Sequence, residues 1–119
     1  MNSITTKVLI LDDDEVTQII GSAIMQRLGA EAFTASNLVE AEMIMKDDQI
    51  TMMLVDVNLP GNHHQFNEVI QQKINEEVRV IGLVGKNQHG IVHRDNFPGL
   101  HEMVEKPIDI EKISRAVGF

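Results

Sequence analysis

Apolar positions along the chain follow two alternating rhythms. Val8-Leu-Ile-Leu11, Met52-Met-Leu-Val55 and Val80-Ile-Gly-Leu-Val84 are near-continuous runs, as expected of parallel strands buried on both faces. Shorter strands are predicted at Ala32–Ala35 and Met103–Glu105. Between these runs the period is helical. Val16, Ile19, Ile20, Ala23 and Ile24 share one face, which Leu28 extends and Gly29 stops. Leu38, Ala41 and Met45 make a second stripe, with Ser36 as its expected N-cap. Phe66, Val69, Ile70 and Ile74 make a third. Ile110, Ile113 and Val117 make the last, with Asp109 and Glu111 near its start and Arg115 near its end, as the helix dipole prefers. A further helix is predicted over Gln88–Phe97, closed by Pro98-Gly99, although Gly90 interrupts its thin apolar stripe.

Strands alternating with helices predict βα units and a parallel sheet. Five of each give a doubly wound, three-layer α/β fold, with right-handed crossovers placing helices on both faces. Ligands of such sheets bind at the carboxyl ends of the strands, near the switch in strand order. Those ends carry Asp12-Asp13-Asp14, then Asp56, then Val84-Gly85, then Lys106-Pro107.

Carboxylates gathered at one rim repel one another unless a cation lies among them. Oxygen donors without cysteine favour a hard ion, most naturally Mg²⁺. A carboxylate can also attack phosphorus to give an aspartyl phosphate, and a metal ion with a lysine would neutralise the transferred group. The constellation therefore has the parts of a metal-assisted phosphoryl site.

Composition narrows the choice. The 119 residues suit one compact domain over 1–119. There is no cysteine, hence no disulfide or thiolate metal site. The first residues lack the form of a signal peptide and no apolar run approaches a membrane span, so a cytoplasmic protein with no membrane association is expected. The formal charge of −8, with no Trp or Tyr, argues against direct nucleic-acid binding. The histidines form no convincing metal motif: His63-His64 are adjacent, and Gly90 weakens the helix that would pair His89 with His93.

Val-Leu-Ile-Leu-Asp-Asp-Asp at 8–14, Leu-Val-Asp-Val-Asn-Leu-Pro-Gly at 54–61 and Glu-Lys-Pro-Ile-Asp at 105–109 occur in order across the chain. Together they resemble the receiver domain of two-component response regulators. The resemblance implies a flavodoxin-like (βα)₅ fold with strand order 2-1-3-4-5. It implies Asp56 as phosphoacceptor, Asp13 as a direct Mg²⁺ ligand, Asp12 as one acting mostly through water, and the backbone carbonyl of Asn58 as a third protein ligand. Lys106 would pair with the phosphoryl group, next to a cis bond to Pro107. The implied phosphoryl donor is a histidine kinase or a histidine phosphotransfer protein, and the implied role is signalling rather than enzymatic turnover.

Two positions depart from the family pattern. Val84 stands where the family has Thr or Ser, and valine copies the shape without the hydroxyl. Met103 stands where Tyr or Phe is frequent. Without the hydroxyl, contact with the phosphoryl group falls to Lys106, the metal and backbone N–H groups such as that of Gly85. These departures leave room for a pseudo-receiver that binds partners independently of phosphate. Asp12-x-Asp14-x-Val16 also fits the opening motif of haloacid-dehalogenase-like phosphatases, with Asp12 as nucleophile and Asp14 as acid/base, but Val84 and the want of a later acidic pair oppose it. The end of the chain just after the last helix suits either a complete receiver or the N-terminal part of a longer regulator.

Overall fold

The computed structural model describes residues 6–59, 63–85 and 100–118. In chain order these form β1 (Lys7–Leu11), α1 (Glu15–Arg27), β2 (Glu31–Ala35), α2 (Leu38–Asp47) and β3 (Met52–Asp56), then α3 (His63–Asn75), β4 (Arg79–Val84), β5 (Glu102–Glu105) and α4 (Ile110–Val117). The strands make one parallel five-stranded sheet in the order β2-β1-β3-β4-β5. The predicted helix over Gln88–Phe97, with His89 and His93, lies outside the described residues, as do the side chains of His63 and His64.

Successive side chains of a strand point to opposite faces, and Val8–Leu11, Met52–Val55 and Val80–Val84 of the central strands carry no polar side chain, so they feed two cores. Leu9, Leu11, Met53, Val55, Val80 and Val84 pack on one face with Ala41 of α2 and with Phe66 and Ile70 of α3. Val8, Ile10, Leu54, Ile81 and Leu83 pack on the other with Ile24 and Met25 of α1 and with Ile113, Ala116 and Val117 of α4. This is the three-layer arrangement expected from the periodicity.

The buried face of α1 differs from the expected one. Thr17, Gly21, Ile24 and Met25 are buried, whereas Val16, Ile19 and Ile20 are exposed. A Cβ on Gly21 would stand 3.0 Å from Ile10 Cδ1, so the glycine lets the helix backbone lie close to β1. That close approach turns the helix by one residue and leaves the larger apolar stripe outside. The cap of α2 is also shifted. Asn37, not Ser36, is the N-cap, accepting the Glu40 N–H at 2.9 Å, while the Ser36 N–H donates to Glu40 Oε1 at 2.7 Å. Gly29 follows α1 at φ +91°, a conformation that favours glycine.

β1 and β3 run side by side, from Val8 opposite Met52 to Leu11 opposite Val55. Because the chain leaves β1 for β2 and then crosses back to β3, the switch in strand order falls here.

Candidate functional site

Asp12 follows β1 directly, Asp56 ends β3, and Lys106 follows β5. The Asp12 N–H extends the ladder to the Ala35 carbonyl at 3.0 Å. Its carbonyl accepts the Gln18 side-chain amide at 2.6 Å, and its Oδ1 accepts the Asp14 N–H at 2.9 Å. The Asp56 Oδ1 accepts the N–H of Asn58 at 2.9 Å, which folds the turn after β3 back on the carboxylate. Asp12 and Asp56 are both buried.

The carboxylates of Asp12, Asp13 and Asp56 each place an oxygen within 4.8 Å of the other two. Lys106 reaches the same point: its Nζ lies 2.7 Å from Asp12 Oδ2 and 3.6 Å from Asp56 Oδ2. Its own N–H donates to the Val84 carbonyl at 2.7 Å, and the bond to Pro107 is cis.

Burial, with repulsion from Asp56, holds the Asp12 carboxyl above the ordinary carboxylate range, although the bonds from Lys106 and the Asp14 N–H pull the other way. Burial opposes the charge on Lys106, but the Asp12 bond and the attraction of Asp12, Asp56 and Asp14 together raise its pKa. Three carboxylates, those of Asp12, Asp13 and Asp56, thus gather beside the single ammonium of Lys106. An all-oxygen donor set with one exposed carboxylate, Asp13, and two buried ones fits a hard divalent cation.

Asp14 faces elsewhere. It is the N-cap of α1, with Oδ1 accepting the Val16 N–H at 3.1 Å and Oδ2 accepting the Thr17 hydroxyl at 2.8 Å. The Thr17 bond, followed by the backbone bonds, lowers its pKa despite slight burial. With both oxygens engaged in the cap, Asp14 is not poised as the acid/base of a phosphatase.

Val84 is fully buried at the end of β4, and Met103 is half-buried against the same core. Gly85 and Asn58 lie at the rim, half-buried, just beyond β4 and β3. The residue-type reading missed Gln18, whose Nε2 also donates to Ser36 Oγ at 3.0 Å. It ties the start of α1 to two strand ends, and no motif marks it.

The fold and the rim define a flavodoxin-like α/β module with clustered carboxylates and a lysine at its topological switch. The chain belongs to the response regulator receiver domain family, which matches residues 8–118. It is 26% identical over 113 residues to sporulation initiation phosphotransferase F of Bacillus subtilis (strain 168), covering 93% of this chain and 90% of that one. Its fold is that of a CheY-like response regulator receiver domain from Methylobacillus flagellatus, with a TM-score of 0.79 at 17% identity, covering 97% and 98% of the two chains. A receiver domain protein from Clostridium thermocellum gives 0.77 at 22% identity, covering 95% and 91%. Receiver domains are the signalling modules of two-component systems. Among the described residues no helix is long and apolar enough to cross a membrane.

Proposed function

We propose that Asp56 accepts a phosphoryl group from a phosphohistidine of a histidine kinase or a histidine phosphotransfer protein, with Mg²⁺ held by Asp12, Asp13, Asp56 and the Asn58 carbonyl. The observation that carries this reading is the convergence of three carboxylates within 4.8 Å beside the Lys106 amine. An Asp56 oxygen attacks phosphorus, the P–N bond to the histidine breaks as the P–O bond forms, and the freed imidazole nitrogen takes up a proton. Bound Mg²⁺ would neutralise charge on the phosphoryl oxygens. Lys106 pairs with the same group, and the Gly85 N–H offers a further donor. The acceptor role is one of relay and regulation inside the cytoplasm, not of enzymatic turnover, and the net charge of −8 opposes direct nucleic-acid contact.

A partner has a surface to meet beside this rim. Val16, Ile19 and Ile20 are 61%, 63% and 39% exposed. Val16 and Ile20 also line a groove of about 260 Å³ with Asp14, Thr17, Lys106, Pro107 and Ile108. An apolar stripe next to a charged site suits a helical donor that brings its histidine to Asp56.

Intact-mass analysis after treatment with acetyl phosphate and Mg²⁺ tests the reading. One added phosphoryl group is expected, mapping to Asp56 and lost in Asp56→Asn. Modification at Asp12 instead would overturn it. A second reading, partner binding without phosphate, is favoured by one observation: Val84 is buried and has no hydroxyl at the rim.

A further inference from the structure

Lys112 occupies an unusual place for a cation. Every other Lys or Arg in the described helices lies in a last turn: Arg27, Lys46, Lys73 and Arg115. The helix dipole favours that position, and it disfavours a cation in the first turn. Lys112 is nevertheless in the first turn of α4, where its own N–H is capped by Asp109 Oδ1 at 2.8 Å. Its ammonium turns back over the preceding loop and donates to the Pro107 carbonyl at 3.0 Å and the Glu105 carbonyl at 3.3 Å. Those two carbonyls flank Lys106.

The consequence is a loop held from two sides. The peptide joining Glu105 to Lys106 gives its N–H to Val84 and its carbonyl to Lys112. Beyond Lys106, the Pro107 carbonyl is held by the same ammonium. A lysine side chain is long and rich in rotamers, so the reach of its amine to a fixed point depends on a fixed backbone. Here the amine must arrive between Asp12 and Asp56 from a strand two places removed from β3.

We propose that Lys112 is a positioning residue: by gripping the carbonyls on either side of Lys106, it holds the Lys106 amine over Asp12 and Asp56. The proposal rests on the phosphoacceptor reading for its effect on rate, but not for its effect on Lys106 itself. Lys112→Met keeps side-chain length and helix propensity while removing the ammonium. Lys112→Arg restores donors to the carbonyls.

Two measurements on the full chain test this. In the metal-free protein, the Lys106 ¹³Cε and Hε resonances report the ion pair with Asp12. They should move toward those of solvated lysines in Lys112→Met and return in Lys112→Arg. With acetyl phosphate and Mg²⁺, Lys112→Met should slow modification of Asp56 by roughly 10–100-fold, up to the scale of a group misplaced by about 1 Å. In a Lys106→Ala background the same substitution should change nothing further, because the group it positions is gone. A purely structural Lys112 would instead lower the melting temperature alike in both backgrounds and leave the Lys106 resonances in place. Unmoved Lys106 resonances in Lys112→Met overturn the proposal, as does an equal slowing in the Lys106→Ala background. If the wild type takes up no phosphoryl group, the phosphoacceptor reading falls, and the Lys106 resonances alone decide the role of Lys112.

Discussion

The carboxyl ends of β1 and β4 share one rim with only β3 between them, yet they are furnished in opposite ways. At β1, Asp12 is buried with its carbonyl, amide and both carboxylate oxygens engaged by Gln18, Ala35, Asp14 and Lys106. At β4, Val84 is equally buried but offers only its methyl groups to the core and its carbonyl to Lys106. The first end is built to hold charge. The second is built to pack. Under the proposed function, this division would favour holding a cation and a phosphoryl group over reporting them to the rest of the fold.

Asp12→Asn gives the largest expected contrast. Losing the buried carboxylate that would orient the cation should weaken Mg²⁺ binding by about 10–100-fold, followed by amide shifts in a metal titration. Val84→Thr should leave that affinity unchanged. Equal effects at the two ends would dissolve the distinction.

Thermal melts sharpen it next. Mg²⁺ at ten times its Kd should stabilise the fold by about 1.4 kcal/mol through linkage, and Asp56→Asn should raise the metal-free melting temperature by removing one of the like charges. The sign of the pH dependence follows from Asp12. Its carboxyl is raised, so the folded chain keeps a proton at a pH where the unfolded chain has lost it. Its ionised form therefore weighs against the metal-free fold at neutral pH, and that penalty fades as pH falls through the raised value toward about 3.9. The gain from Mg²⁺ should shrink over the same window, measured by melts with and without the ion.

Val84→Thr probes the other end. In the resting state the new hydroxyl is buried, and left without a partner it would destabilise by about 1–3 kcal/mol. With beryllofluoride on Asp56 it would gain a charge-assisted bond of about 1.5–3 kcal/mol. The melting temperature should drop without the analogue and recover with it. NMR shifts on beryllofluoride addition should reach further toward Met103 than in the wild type. A wild type that already shows the full remote change would mean the hydroxyl is dispensable.

The smallest effect is expected at Asp14, which caps α1 rather than joining the site. Asp14→Ala should lower the melting temperature by several degrees at pH 7 with no change in Mg²⁺ affinity. Because the Asp14 carboxyl is lowered, its stabilisation is complete above the ordinary carboxylate value and is lost as pH falls through the folded one. The difference between variant and wild type should therefore vanish in strong acid.

Much of this was legible in the order of residues. The apolar runs at Val8–Leu11, Met52–Val55 and Val80–Val84 lie within β1, β3 and β4, since a strand buried on both faces has no freedom to be polar. The acids and the lysine could be assigned to strand ends for the same reason, and Asp12, Asp13 and Asp56 do meet there. The face of α1 was not legible. Thr17 and Gly21 are not counted as apolar, yet a missing side chain brings a helix closer to a sheet than a large one does. Asn37 rather than Ser36 is the cap: its Oδ1 accepts the Glu40 N–H, while the Ser36 hydroxyl accepts the Gln18 amide.

Local pattern by itself determined the elements, their layers and the end of the sheet at which chemistry gathers, because periodicity and charge act over a few residues. Tertiary structure alone decided which groups touch. Lys106 meets Asp12 at 2.7 Å and Asp56 at 3.6 Å across the sheet, and Gln18 of α1 reaches Ser36 beyond β2. Such contacts depend on how strands align and how closely helices approach. Those are properties of packed surfaces, which no single stretch of sequence contains.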